Sequence, residues 1–405
     1  MASSPSVWTI MVALLGAHLA GMGAFLTVPV LSPPIAAETG LPVTLAGVHT
    51  ALVYAGALVT GPPTGALVRR FGGIRVLQAG LLLIGAGIAL AALGTPAALA
   101  LSAFLAGMGH GPVTPGGSHL LAGRTPPRRR SLIFSLKQCG VPAGAMLVAA
   151  AAPAIGSAFG WRAGVLAMAA TALAMAAALQ PLRAALDAER DRSAAIRGVA
   201  GEALGALGML RTDAALRRLT VMSCGYGVSQ FCFFSFFVAW QVSSLGVPLA
   251  EAGLRLALAQ AAGVAGRIGW AVLADRAGAR PALAACGLGA AAAAVLMALA
   301  GPGWPALVVV LAGMAMGATA VGWNGVMLAE AARIAPPGQV GGATAALAFA
   351  FGLAMIVAPP AFSLLVGLTG GYMAGFLMCA GFAVLGAVAI LRDGGAGLRG
   401  RSALP

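Results

Sequence analysis

The sequence predicts an all-α membrane protein of twelve transmembrane helices arranged as two pseudo-symmetric six-helix bundles. Three observations carry that prediction. Of the 405 residues, 60% are hydrophobic and only 8% charged, whereas soluble domains carry about 25% charged residues. The apolar residues come in runs long enough to cross a hydrocarbon core of ~30 Å as helix. The two halves of the chain align on each other at one constant offset of 206 residues. The same composition excludes disordered, collagenous and disulfide-stapled secreted chains.

The hydropathy pattern places spans at about 8–33, 42–67, 76–95, 97–121, 131–157, 162–182, 218–242, 249–273, 281–301, 305–332, 341–367 and 370–391. The first run is too long for a signal-peptide core and lacks a basic leader, so it reads as a retained span. An even number of spans puts both termini on one side. Arginine marks that side: Arg69, Arg70 and Arg75, then Arg124 and Arg128–Arg130, then Arg276, Arg280 and Arg333 occupy alternate short loops. Cytoplasmic loops carry such an excess, so both termini are expected in the cytoplasm of a bacterial inner membrane. The net charge of +14 is therefore a matter of topology, and nucleic acid is not expected as a partner. The polar stretch between the halves reads as a linker, which gives a first bundle over 1–182, a linker over 183–217 and a second bundle over 218–405; an amphipathic surface helix within it is the alternative. The five cysteines show no paired spacing and read as packing residues, with no metal site and no cofactor implied.

The repeat is the strongest signal. Gly21 falls on Gly227, Phe25 on Phe231, Ala46-Gly47 on Ala252-Gly253, Gly72 on Gly278, Leu105–Met108 on Leu311–Met314 and Pro153 on Pro359. Six spans per copy make the repeat parallel, with its two-fold axis along the membrane normal. The loops 273–280 and 65–75 then resemble the G-x-L-x-D-R-x-G-x-R signature of the major facilitator superfamily, through Asp275-Arg276 and Gly278 in the second copy and through Arg70 and Gly72 in the first. The resemblance covers the whole chain. It implies a secondary transporter rather than an enzyme, with the lipid bilayer and a small molecule as partners, acting as a monomer. It also implies a latch at which Asp275 and Arg276 face the start of span 5 near Arg130. In the first copy Arg69 replaces the aspartate, so the partner latch at Arg70 is expected to be weaker.

Ionisable groups inside a membrane are costly and are the best pointers to function. Arg267 lies eight residues before Asp275, or about 12 Å along the helix, and resembles the anion-binding arginine of monocarboxylate and nitrate porters. A structural arginine satisfied by carbonyls is the alternative. Lys137 and Gln138 in span 5 read as a second anion ligand or as a snorkelling pair. His110, His18 and His119 are candidate proton carriers, as imidazole titrates near neutrality. Glu330 reads either as a proton-coupling carboxylate or as a helix-surface partner of Arg333. Arg255 follows Glu251 by four residues and reads as a structural pair. Tyr54, its repeat equivalent Gln260, Asn324 and Tyr226 complete the expected lining, with helix–helix hydrogen bonding as their other reading.

These residues lead to a transporter of a small organic anion such as a monocarboxylate, with proton symport. A drug/proton antiporter is the alternative, on the partial G-P-x-x-G-G match at Ala152–Ser157 in span 5. No nucleotide-binding loop, HExxH or CxxC pattern points elsewhere.

Overall fold

The computed structural model describes residues 6–122, 136–188, 190–193, 205, 208–335 and 340–392. Among the described residues ten helices are long and apolar enough to cross a membrane: Val7–Val30, Gly73–Ala91, Leu136–Phe159, Trp161–Ala178, Ala214–Leu245, Leu249–Ala277, Ala279–Leu299, Ala306–Ile334, Gly342–Thr369 and Met373–Leu391. They are spans 1, 3 and 5 to 12. Span 2 is the pair Leu45–Thr60 and Thr64–Phe71, bent by 55°. The bend falls at Gly61-Pro62-Pro63, where two successive prolines remove helical N–H donors. Span 4 runs as Pro96–His110 and resumes as Val113–Ala122 after Gly111-Pro112. The twelve spans are those expected from hydropathy, with shifted edges. One shift has a clear cause. The apolar run that begins span 1 ends at Val30, because Pro33-Pro34 open a separate short helix, Ser32–Thr39.

Helix pairing repeats between the halves. Span 2 packs on span 4 as span 8 does on span 10; spans 3 and 4 pair like 9 and 10, spans 3 and 6 like 9 and 12, and spans 1 and 5 like 7 and 11. The backbone repeats as well. Gly72 (φ 97, ψ 149) and Gly278 (φ 93, ψ 154) sit 206 residues apart and each turns the chain into the next span. A side chain would strain that conformation, which explains a glycine at both places. Gly40 and Gly246, also 206 apart, are both left-handed.

Two polar clamps tie the first half together. At the arginine-rich end, Asp187 follows the short helix Gln180–Leu186 and is 2% exposed. Its carboxylate accepts from the N–H groups of Ile74 at 2.9 Å and Arg75 at 3.0 Å, so it caps the start of span 3. The Asp191 N–H donates to the Arg69 carbonyl nearby. At the opposite end Glu38 accepts from the Trp161 indole at 2.7 Å and pairs with Arg162, whose guanidinium lies over the Trp161 ring. Those two donors hold the Glu38 carboxyl below its ordinary range, the Arg162 bond contributing most.

Arg70, Asp275 and Arg276 are exposed at the arginine-rich end. Arg70 lies over the ring of Phe71. The expected partner Arg130 lies outside the described residues, as do Arg124, Arg128, Arg129 and residues 189, 194–204 and 206–207 of the linker; the side chain of His119 is likewise not described.

Candidate functional site between the bundles

The halves meet along two seams related by the repeat. On one, Gly47 of span 2 lies against Pro359 and Ser363 of span 11. On the other, Gly253 of span 8 lies against Ala149 and Pro153 of span 5. Gly47 and Gly253 are repeat equivalents, and so are Pro359 and Pro153. Both contacts belong to the arginine-poor half of the membrane. A third inter-bundle contact joins spans 2 and 7, where the Thr50 and Ser235 hydroxyls share a hydrogen bond of 2.7 Å.

Below these contacts the seams diverge. The seam of spans 2 and 11 turns aromatic. Tyr54 stacks edgewise on Phe231 at 5.0 Å and on Phe351 at 5.9 Å, and Phe25 meets Phe231 at 5.4 Å. One ring from each of spans 1, 2, 7 and 11 thus closes the middle of the molecule. The seam of spans 5 and 8 turns polar. Residues 253, 260 and 267 recur every seven positions, two helical turns, and so share one face of span 8. At the inner end of that face Arg267 donates through Nη1 to the Gln138 carbonyl at 3.3 Å.

Around this point the structure gathers most of the basic residues singled out in the spans. Lys137, 1% exposed, donates through Nζ to the Thr114 carbonyl at 3.0 Å. The Thr114 hydroxyl lies 3.3 Å from His18 Nε2, while His18 Nδ1 donates to the Leu14 carbonyl at 2.8 Å. His110 donates to the Gly21 carbonyl at 3.2 Å and sets its ring edgewise on Phe25 at 4.5 Å. Lys137, His110 and Arg267 all lie within electrostatic reach of His18. Among the described residues no carboxylate enters this cluster.

Polar atoms at this point, Arg267 Nε and Gln138 Oε1, and both amide atoms of Gln260 two turns along the same face of span 8, are buried without a partner. Buried polar groups are rarely left so, and such atoms mark where a ligand or water completes the set. Chemically, a guanidinium fork, an amine and two amides suit an oxyanion.

Other expected residues lie elsewhere. Tyr226 is buried inside the second bundle, where its hydroxyl donates to the Leu283 carbonyl at 2.7 Å and its ring meets Trp323. Asn324 donates to Gln230 at 3.4 Å, where span 10 resumes after its break. Glu330, 5% exposed, accepts two bonds of 2.6 Å from Arg333, and with Arg218 and Arg280 lines a small recess near the arginine-rich end. Arg255 pairs with Glu251 and also reaches Gln241.

Thr114 and the ring of Phe351 were not singled out from sequence. The repeat itself held a signal for the cluster. At the offset of 206, His18, His110, Thr114, Lys137 and Gln138 fall on Cys224, Met316, Ala320, Ala343 and Thr344, and Arg267 falls on Gly61. The basic residues occur on one side of the pseudo-axis only, where the two copies part company.

The fold and this off-axis polar seam define a membrane transporter of the two-bundle type. The sequence model of the major facilitator superfamily matches residues 13–331, and the chain belongs to that superfamily. Its fold is similar to that of the peptide transporter POT solved in complex with sulfate, at a TM-score of 0.76 and 18% identity over 96% of this chain and 94% of that one. A mutant form of the peptide transporter POT, also in complex with sulfate, gives 0.74 and 17% over 95% and 93%. A POT family transporter in complex with 5-aminolevulinic acid gives 0.72 and 13% over 95% of each chain. No curated protein matches the chain in sequence.

Proposed function

We propose that this transporter carries a small organic anion, a monocarboxylate, together with a proton, by alternating access in the cytoplasmic membrane of a bacterium. It works as a monomer with both termini in the cytoplasm. The observation that carries the reading is the basic cluster of Arg267, Lys137, His18 and His110, the lysine and His18 buried and the other two half-buried, which lies where two bundles meet. Arg267 receives the carboxylate on its fork, using the Nε that has no protein partner. The Gln138 and Gln260 amides complete the hydrogen bonds, and the rings of Phe25, Tyr54, Phe231 and Phe351 stand on the arginine-poor side as an apolar stop. Bundles 1–182 and 218–405 rock about this point, joined by the linker 183–217.

Ligand-induced thermal stabilisation of the purified protein in detergent tests the reading. The panel sets acetate, pyruvate, benzoate and nitrate against lipophilic cations, for wild type and Arg267→Gln. One or more anions should raise the melting temperature of the wild type and lose that effect in the variant. A hydrogen-bonded charged pair contributes about 1.5–3 kcal/mol, so the apparent affinity should fall by about 10- to 150-fold. Stabilisation by cations that is indifferent to Arg267 sinks the anion reading and points to drug/proton antiport.

A further inference from the structure

We infer that Gln260 reads a second polar group on the substrate, so that the cargo is a carboxylate bearing a neutral hydroxyl or carboxamide several bonds from its charge. This rests on the anion reading above and narrows the substrate class. Gln260 is 0% exposed, and neither atom of its amide has a partner. No other side chain among the described residues has two buried polar atoms left so. Glutamines that serve helix packing behave otherwise in this molecule. Gln241 donates to the Phe237 and Ala252 carbonyls and accepts from Arg255, Gln230 accepts from Asn324, and Gln78 donates to the Ala176 carbonyl and to Gln180. Gln260 joins no helix to another by hydrogen bonding. Leaving its amide unpaired is costly, and a group that enters the seam removes that cost.

Its place ties it to Arg267. The face of span 8 that carries residues 253, 260 and 267 meets span 5 at both ends, Gly253 at Pro153 and Arg267 at the Gln138 carbonyl. Gln260 therefore stands between these contacts on the same seam. Two helical turns, about 10 Å of rise, separate it from Arg267. The residues between them on the helix surface, Gly263 and Val264, have no polar side chain. On the other seam this level is filled by the rings of Tyr54 and Phe351, 5.9 Å apart. The offset of 206 puts Gln260 and Ala145 at their places. Where two rings plug one seam, the other holds an amide and a methyl group, so the body of a ligand displaces no ring there when the bundles part.

The two positions call for different groups. Arg267 Nε is a donor without an acceptor, and a carboxylate oxygen supplies one. The Gln260 amide is a donor at Nε2 and an acceptor at Oε1, whichever way it is turned. A second carboxylate there would meet the donor alone and set a negative oxygen against Oε1. A methyl end would meet neither atom. A hydroxyl or a carboxamide donates and accepts at once and so meets both. A site built to hydrogen-bond a polar group rejects the analogue that lacks it, because its own polar atoms then stay unpaired. The stem that joins the two ends of the ligand passes Gly263 and Val264 and is apolar.

The test is calorimetric titration of the full-length protein in detergent with matched acids. One set is butanoate, 4-hydroxybutanoate and succinamate; the other is hexanoate, 6-hydroxyhexanoate and adipamate. In at least one set the hydroxy or amido acid should bind the wild type about 5- to 150-fold more tightly than the plain acid. Gln260→Leu keeps the bulk and loses both polar atoms, so it should bind every member of that set with the affinity of the plain acid; Gln260→Met replaces it if the leucine variant does not fold. Arg267→Gln should weaken all members alike. Equal affinities within both sets for the wild type overturn the inference and leave the anion reading standing, whether or not the variants fold. A preference that survives the loss of the Gln260 amide overturns it too, because another residue then reads the group. Absence of binding by all six acids removes the anion reading and this inference with it.

Discussion

Gly253 of span 8 lies so close to Pro153 of span 5 that a methyl group on the glycine would sit 2.6 Å from the proline ring. Its repeat equivalent, Gly47, is as tightly placed against Pro359, where the same methyl would come within 2.8 Å of the main-chain carbonyl carbon. Small residues let helices approach in membranes, where no hydrophobic drive brings them together. The two glycines are thus the points at which the bundles close on the arginine-poor side.

A larger side chain at either point should open that side. Overpacking costs about 1–3 kcal/mol, and a bias of that size shifts a two-state equilibrium about 5- to 150-fold. Gly253→Leu should therefore raise the reactivity of a cysteine placed at Ser235, in the neighbouring contact between spans 2 and 7, toward a membrane-impermeant maleimide in a background free of native cysteines. Equal labelling rates with and without the leucine would show that the seam does not control access.

Asp187 should be a stability residue rather than a transport residue. Its buried carboxylate caps span 3 with two main-chain bonds, and asparagine offers one oxygen and no charge. Asp187→Asn should cost about 1–2 kcal/mol, the usual range for a lost charged cap, and lower the melting temperature in detergent while anion-induced stabilisation persists. An unchanged melting temperature would mean that Asp187 contributes nothing to the hold on span 3.

The clamp at the other end should respond to acid. Arg162 and Trp161 depress the ionisation of Glu38. A carboxyl lowered in the folded state contributes above its ordinary, unfolded value, and that contribution is lost as pH falls through the lowered folded value. Acidification below the ordinary glutamate range should release the Trp161 indole and change its emission. Glu38→Gln should remove the acid transition. Emission that titrates identically in both proteins would place the transition at another group.

Much of the fold is legible in the sequence. Span number, order and the repeat follow from run length and from the 206-residue offset, since lipid demands long apolar helices whatever their neighbours are. The left-handed glycines Gly72 and Gly278 follow the same offset. The helix-surface pairs Glu251–Arg255 and Glu330–Arg333 were legible too, because spacing along one helix decides who can meet. Hydropathy could not show the docking of Asp187 on span 3, which depends on groups far apart in sequence.

The candidate site divides the same way. Composition and hydropathy alone show which costly residues the membrane contains: one lysine, a few histidines and Arg267 among apolar runs. The packing of the helices brings Lys137, His18, His110 and Arg267 to one corner, turns Tyr226 into the second bundle, and sets Thr114 between His18 and Lys137. The physical reason is that a helix fixes the neighbours of a residue at three and four positions along its own chain. The neighbour across a seam is set by how two helices cross, which here depends on Gly47, Gly253 and the prolines they meet.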